Sequence, residues 1–158
     1  MNVLVLCTGN SCRSILGEAL INHLGQGRFK AFSAGSHPVG KVNPHALATL
    51  ARHGLPTEGY RSQSWDEFAD ANIDILITVC ASADGETCPV YLGSAVRGHW
   101  GLPDPAHVEG PPEKIEAAFE ATYAALERRI RRLLDLPADT LSKAELAEAL
   151  NRIGRESD

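Results

Sequence analysis

The octet Cys7-Thr8-Gly9-Asn10-Ser11-Cys12-Arg13-Ser14 follows the apolar run Val3-Leu4-Val5-Leu6. Its residue types suit one kind of chemistry, nucleophilic attack on a tetrahedral oxyanion. A short loop between a strand and a helix turns successive backbone N–H groups inward and makes an anion nest at the positive end of the helix. Arg13, at the far rim, adds a planar fork of donors matched to such an anion. The same field favours the Cys7 thiolate, because a free cysteine pKa of about 8.5 falls by roughly two to four units at helix N-termini beside cations. Ser14 can aim its hydroxyl back at the sulfur and Asn10 can brace the loop through its amide. Gly9 is the residue expected to take a positive φ. A bound anion is expected to sit against Thr8, Gly9, Asn10, Ser11, Cys12, Arg13 and Ser14. The plainer alternative, a turn that happens to contain cysteines, does not call for this order of residues.

The octet resembles the phosphate-binding loop of the low-molecular-weight tyrosine phosphatases and of the arsenate reductases built on the same fold. Phosphate and arsenate are near-isosteres, so the loop alone leaves both open. Two further cysteines discriminate. Ile73-Asp74-Ile75-Leu76-Ile77-Thr78-Val79 reads as a buried strand. Cys80 follows it, and Cys88 lies beyond the small, polar linker Ala81-Ser82-Ala83-Asp84-Gly85-Glu86-Thr87, which is expected to be mobile enough to bring the sulfurs together. A phosphatase releases its phosphoryl group to water and needs no second thiol. Reducing As(V) to As(III) takes two electrons, which a thiol pair collapsing to a disulfide supplies. Together with His99-Trp100-Gly101-Leu102-Pro103-Asp104-Pro105-Ala106, the set Cys7, Cys80 and Cys88 is similar to the three-cysteine, thioredoxin-coupled arsenate reductases, over residues 1 to about 135.

That resemblance implies the roles. Cys7 attacks arsenate, Arg13 and the loop amides hold the oxyanion, and Asp104 protonates the departing oxygen. Cys80 then attacks Cys7 to release arsenite and form a Cys7–Cys80 disulfide, and Cys88 converts it to Cys80–Cys88. Thioredoxin is the implied electron donor, with glutaredoxin coupling the lesser alternative. Phosphate and sulfate are the expected competing anions, and no cofactor is implied. A tyrosine phosphatase acting on aryl phosphates is the alternative function. The absence of an aromatic residue after Asp104-Pro105, where phosphatases of this kind often carry one, counts against a phosphotyrosine pocket. Some relatives bind potassium beside the loop, and Asn10, Glu18 and Ser33 match ligands there. Gln63 stands where the completing acid is expected, so the cation is not carried over and no metal is assigned.

The cysteines have other readings. Zinc prefers four ligands in tight pairs, which the wide interval from Cys80 to Cys88 does not offer, and a metal on Cys7 would quench the nucleophile. Structural disulfides suit secreted chains, whereas Met1-Asn2 leads straight into an expected strand, so no signal peptide is expected. Cys12 reads as a small packed residue, with a protective disulfide to Cys7 as the alternative.

Composition fits a small cytoplasmic enzyme. At 158 residues the chain is long enough for one core without staples. A net charge of −5 argues against a nucleic-acid footprint and leaves anion attraction local to Arg13 and the loop. No apolar run approaches the roughly 20 residues of a membrane span.

The elements that must position these groups alternate. Strands are expected at about 2–6, 29–34, 73–79 and 98–101, and helices at about 12–24, 44–53, 65–70 and 112–134. This predicts an α/β fold with one domain, residues 1–136, built on a central parallel sheet of roughly four strands flanked by helices. Ligands in such sheets bind at the carboxyl ends of the strands, where Cys7 and Cys80 both fall. Pro103 and Pro105 stiffen the backbone around Asp104. No histidine is given a role, and Trp65 and Trp100 are expected at the rims of the core. Residues 137–158 form an extension with a helix at about 143–153, capped by Ser142 with Glu145 and ended by Gly154. It is expected to pack on the domain, to serve a dimer contact, or to do little.

Overall fold

The computed structural model describes residues 1–68, 71–79 and 95–155. Within them, strands β1 (Asn2–Leu6), β2 (Lys30–Ala34), β3 (Ile75–Thr78) and β4 (Val96–His99) form a parallel sheet in the order β2-β1-β3-β4. Leu4 of β1 pairs with Phe32 on one side and Leu76 on the other. The sheet grows from β1 to one side and then to the other, so the switch in direction falls at the end of β1. Open α/β sheets bind their ligands at such a point.

Both faces of the sheet are covered. Val3, Val5, Ile75 and Ile77 join one cluster with residues from helices α1 (Arg13–Gly25), α2 (Pro44–Arg52), α3 (Pro112–Leu134) and α4 (Lys143–Arg155). The alternate residues Leu4, Leu6 and Leu76 pack on the other face with Phe68 and Ile73. Two-sided burial explains why these strands read as continuous apolar runs. Of the helix expected at about 65–70, the described part, Trp65–Phe68, is a 3-10 turn.

Local chemistry sets the helix ends. Asn43 accepts a hydrogen bond from the His45 N–H at 2.8 Å and Pro44 opens α2. Gly54, at φ +74°, turns the chain after it. The capping box of α4 is formed, with Glu145 N–H donating to Ser142 Oγ at 3.1 Å and Ser142 N–H to Glu145 Oε1 at 3.0 Å.

Three expectations are corrected. The fourth strand lies at Val96–His99, not 98–101, because its register follows β3 from Ile75↔Val96 to Thr78↔His99. Trp100 is not at the rim. It is 1% exposed, because α4 covers it and Leu150 O accepts its indole N–H. Gly154 does not end α4, which continues to Arg155. It is a glycine of close approach, since a Cβ there would collide with the His99 carbonyl oxygen.

Candidate active site

The octet leaves β1 at the switch point and enters α1 at Arg13. Its carbonyl oxygens are taken by donors from outside the loop. Thr8 O accepts from His37 N–H at 3.0 Å, Gly9 O from Val39 N–H at 3.0 Å, and Ser11 O from Asn43 N–H at 2.9 Å. Ser62 Oγ adds a second donor to Gly9 O at 3.1 Å. Holding these carbonyls from outside is what an anion nest requires of its loop.

Asn10 is the keystone of the loop. It takes φ +47°, the left-handed conformation that had been expected of Gly9. Asparagine tolerates this region when its amide is bonded locally. Here Asn10 Nδ2 donates to Ser14 Oγ at 2.8 Å and Asn10 Oδ1 accepts from Gln63 N–H at 2.8 Å. Asn10 and Ser14 are fully buried. Because Ser14 Oγ accepts from Asn10, its own proton is left to be donated elsewhere.

Sequence reasoning missed Gly35. A Cβ there would lie 2.5 Å from Thr8 O and 2.8 Å from Cys7 O, so only glycine lets the end of β2 pass beneath the nucleophile. The signal available was the Ser33-Ala34-Gly35-Ser36 run that ends β2.

Cys7 is 4% exposed and sits at the floor of the loop, its N–H donating to Ala34 O at 3.2 Å. Arg13 donates through Nη1 to Leu102 O at 2.8 Å and lies 3.4 Å through Nη2 from Asp104 Oδ2. Its Nε is buried with no hydrogen-bond partner. A buried donor left unmet costs about 1–3 kcal/mol, and an acceptor that bonds it offsets that cost. Asp104 is fixed as well. Its Oδ1 accepts from Ala106 N–H at 2.9 Å, capping the 3-10 turn Pro105–His107, and from the Cys12 thiol at 3.4 Å. The exposed His107 reaches Asp104 Oδ2 at 3.4 Å.

Cys7 and Cys12 are not joined in a disulfide. Burial, and then the Asp104 charge, push the Cys12 thiol up to about 11. Cys12 therefore remains a protonated donor to Asp104, not a competing nucleophile. It is packed, as expected, and also touches the acid.

The residues matched to a potassium site do not fit one. Ser33 Oγ donates to Glu18 Oε1 at 2.6 Å, and Gln63 turns its Nε2 toward Ser33 O at 3.0 Å. A cation prefers oxygen ligands, and here an amide nitrogen stands among them. Burial pushes Glu18 up to about 7. Among the described residues no group of three or more His, Cys, Asp or Glu is arranged to hold a metal.

Cys80 and Cys88 lie outside the described residues. Val79 N–H donates to Leu6 O at 3.0 Å, pairing the residue before Cys80 with the residue before Cys7.

This strand-loop-helix site agrees with a family model that spans residues 2–150, that of the low molecular weight phosphotyrosine protein phosphatases. The chain belongs to that family. It is 35% identical over 131 residues to an arsenate reductase of Bacillus licheniformis, covering 82% of this chain and 92% of that protein. Among solved structures it is similar to the tyrosine phosphatase Wzb of Escherichia coli K30 in complex with sulphate, with 27% identity and a TM-score of 0.67 over 85% of this chain and 96% of that one. It is also similar to a thioredoxin-dependent arsenate reductase of Corynebacterium glutamicum, with 26% identity and a TM-score of 0.61 over 84% of this chain and 59% of that one. The family thus holds both chemistries that the octet left open.

Proposed function

We propose that this chain reduces arsenate to arsenite and is regenerated by thioredoxin. The Cys7 thiolate attacks As(V) while Arg13 and the loop amides hold its oxygens, and Asp104 protonates the oxygen that leaves as water. The Cys80 thiolate then attacks the Cys7 sulfur. The S–As bonding pair passes to arsenic, arsenite departs as As(III), and a Cys7–Cys80 disulfide forms. Cys88 attacks Cys80, which frees Cys7 and leaves Cys80–Cys88 for a dithiol donor to reduce. Each turnover consumes two thiol electrons, and arsenic gains them.

The observation that carries this reading is the strand-loop-helix that holds the buried Cys7 and the Arg13–Asp104 pair, in a sequence that offers two further thiols, Cys80 and Cys88. A hydrolase has no use for a second thiol. The kinship to arsenate reductases supports the same reading. Thioredoxin is favoured because a third internal cysteine does the work of an external glutathione thiol, and a relative of that dependence shares the fold. A thioredoxin donor also suits a reducing, cytoplasmic setting. No helix among the described residues is long and apolar enough to cross a membrane.

The test is arsenate-dependent NADPH oxidation with thioredoxin and its reductase, against the glutaredoxin system. Turnover is expected with the first and little with the second. Equal rates would overturn the donor assignment alone. No oxidation in either, with good hydrolysis of an aryl phosphate, would make the chain a phosphatase, the reading that its likeness to Wzb favours.

A further inference from the structure

The segment from His99 to Asp104 carries the proton donor and the anchor of Arg13, and it leaves an edge strand. Among the described residues, β4 has a strand neighbour only on its β3 side. An open edge presents unpaired N–H and C=O groups. Here one side chain meets them. Asn151 of α4 accepts from His99 N–H through Oδ1 at 3.0 Å and donates through Nδ2 to Arg97 O at 3.2 Å. His99 N–H and Arg97 O are the two groups that an adjoining strand would bond on this edge. A third bond, Asn151 Nδ2 to Ala147 O at 2.8 Å, fixes the amide on its own helix.

The helix comes close enough to do this because two positions lack a side chain. A Cβ on Gly98 would lie 2.7 Å from Leu150 Cβ, and Gly154 passes against His99 and Trp100. Trp100 is then held at every polar atom. Its N–H donates to Thr78 O at 2.7 Å, its indole N–H to Leu150 O at 2.9 Å, and its carbonyl accepts from the buried Arg129 Nη1 at 3.1 Å. Two residues on, Leu102 N–H donates to Val79 O at 2.9 Å, and Leu102 O receives Arg13.

We infer that α4 is a surrogate fifth strand whose Asn151 and Leu150, through His99 and Trp100, position the loop that delivers Asp104 to the oxyanion. Asn151 and Trp100 are thus positioning residues for proton donation. The inference rests on the proposed function only in giving Asp104 that task.

A double-mutant cycle tests it. Asn151→Leu removes both edge bonds at similar volume, and Asp104→Asn removes the donor. Single-turnover oxidation by arsenate reports the rate, and protection of Cys7 from alkylation by inorganic phosphate reports the loop. A displacement of about 1 Å in a catalytic group can cost on the order of 100-fold. We expect Asn151→Leu to lose about tenfold in rate with phosphate protection within about twofold of wild type. In the Asp104→Asn background it should lose nothing further. Trp100→Phe, which removes the indole N–H bond together with part of the buried ring, should behave likewise and serves if Asn151→Leu does not fold. Losses that multiply in the double variant, a wild-type rate in the folded single variants, or loss of rate and phosphate protection in equal measure would each overturn the inference. If the wild-type chain shows no oxidation by arsenate, the reductase reading fails on that control. The same cycle on aryl phosphate hydrolysis then decides the positioning role.

Discussion

The nucleophile loop and the acid loop meet at Arg13 but are held by different means. The first is held from nearby. Its carbonyls are bonded by the backbone of residues 37–43, and its amide keystone is bonded by Gln63 N–H. The second is held from afar, by Asn151, Leu150 and Arg129, side chains and a carbonyl from the two C-terminal helices. A loop that must aim several amides at one point needs rigid backbone partners. A loop that must aim one carboxylate needs only its stem clamped.

The largest effects should come from breaking the shared point. Arg13→Lys keeps the charge but not the fork that spans Leu102 O and Asp104. Arsenate turnover is expected to fall on the order of 100-fold, with a parallel rise in the Cys7 pKa read by alkylation against pH. Unchanged alkylation and turnover would mean that Arg13 does not hold the anion.

Next comes the nucleophile side. Gly35→Ala drives a methyl group into Thr8 O and Cys7 O. Overpacking of this kind costs about 1–3 kcal/mol, and phosphate protection of Cys7 should weaken with it. An alanine variant that binds phosphate normally would show that the loop does not depend on the backbone beneath it.

Glu18 sharpens the comparison through pH, since it bonds Ser33, whose carbonyl holds the Gln63 side chain of the first loop's support. Its folded pKa of about 7 lies above the ordinary 4.5 because burial disfavours the charged form. Protons are therefore bound more tightly in the fold, and stability should fall as pH rises from about 4.5 toward about 7, then level off. Glu18→Gln keeps an acceptor for Ser33 and should remove that slope, stabilising the chain above pH 7 by on the order of 1–3 kcal/mol. Denaturation midpoints across this range measure it, and an unchanged slope would assign the effect to another group.

The two loops were also unequally legible. The octet could be read directly because strand, nest, nucleophile and arginine are contiguous, and the elements around it followed from apolar periodicity. Even there the left-handed residue was misplaced. Freedom from a Cβ pointed to Gly9, whereas the hydrogen bonds of its amide let Asn10 take the position. Gly35 escaped notice because its constraint comes from atoms many residues away. The acid loop was legible only at Asp104 and its flanking prolines. Nothing local marks Trp100 as core or Asn151 as its neighbour's support. Gly154 reads as a helix stop until the sheet edge is seen beside it.

The contact between Asp104 and Arg13 has a consequence for selectivity. The carboxylate lies 3.4 Å from the guanidinium and acts as a ligand the protein carries for itself. An incoming oxyanion can bond the unmet Arg13 Nε but must compete with the carboxylate for Nη2. Partly exposed pairs of this kind are worth about 0.2–1 kcal/mol, so Asp104→Asn should tighten phosphate binding by roughly 1.4- to fivefold while it slows reduction. Anions that only visit are thereby held loosely. One that goes on to bond with the Cys7 sulfur is retained by chemistry, so the pocket sorts near-identical ions by what they do next and not by how well they fit.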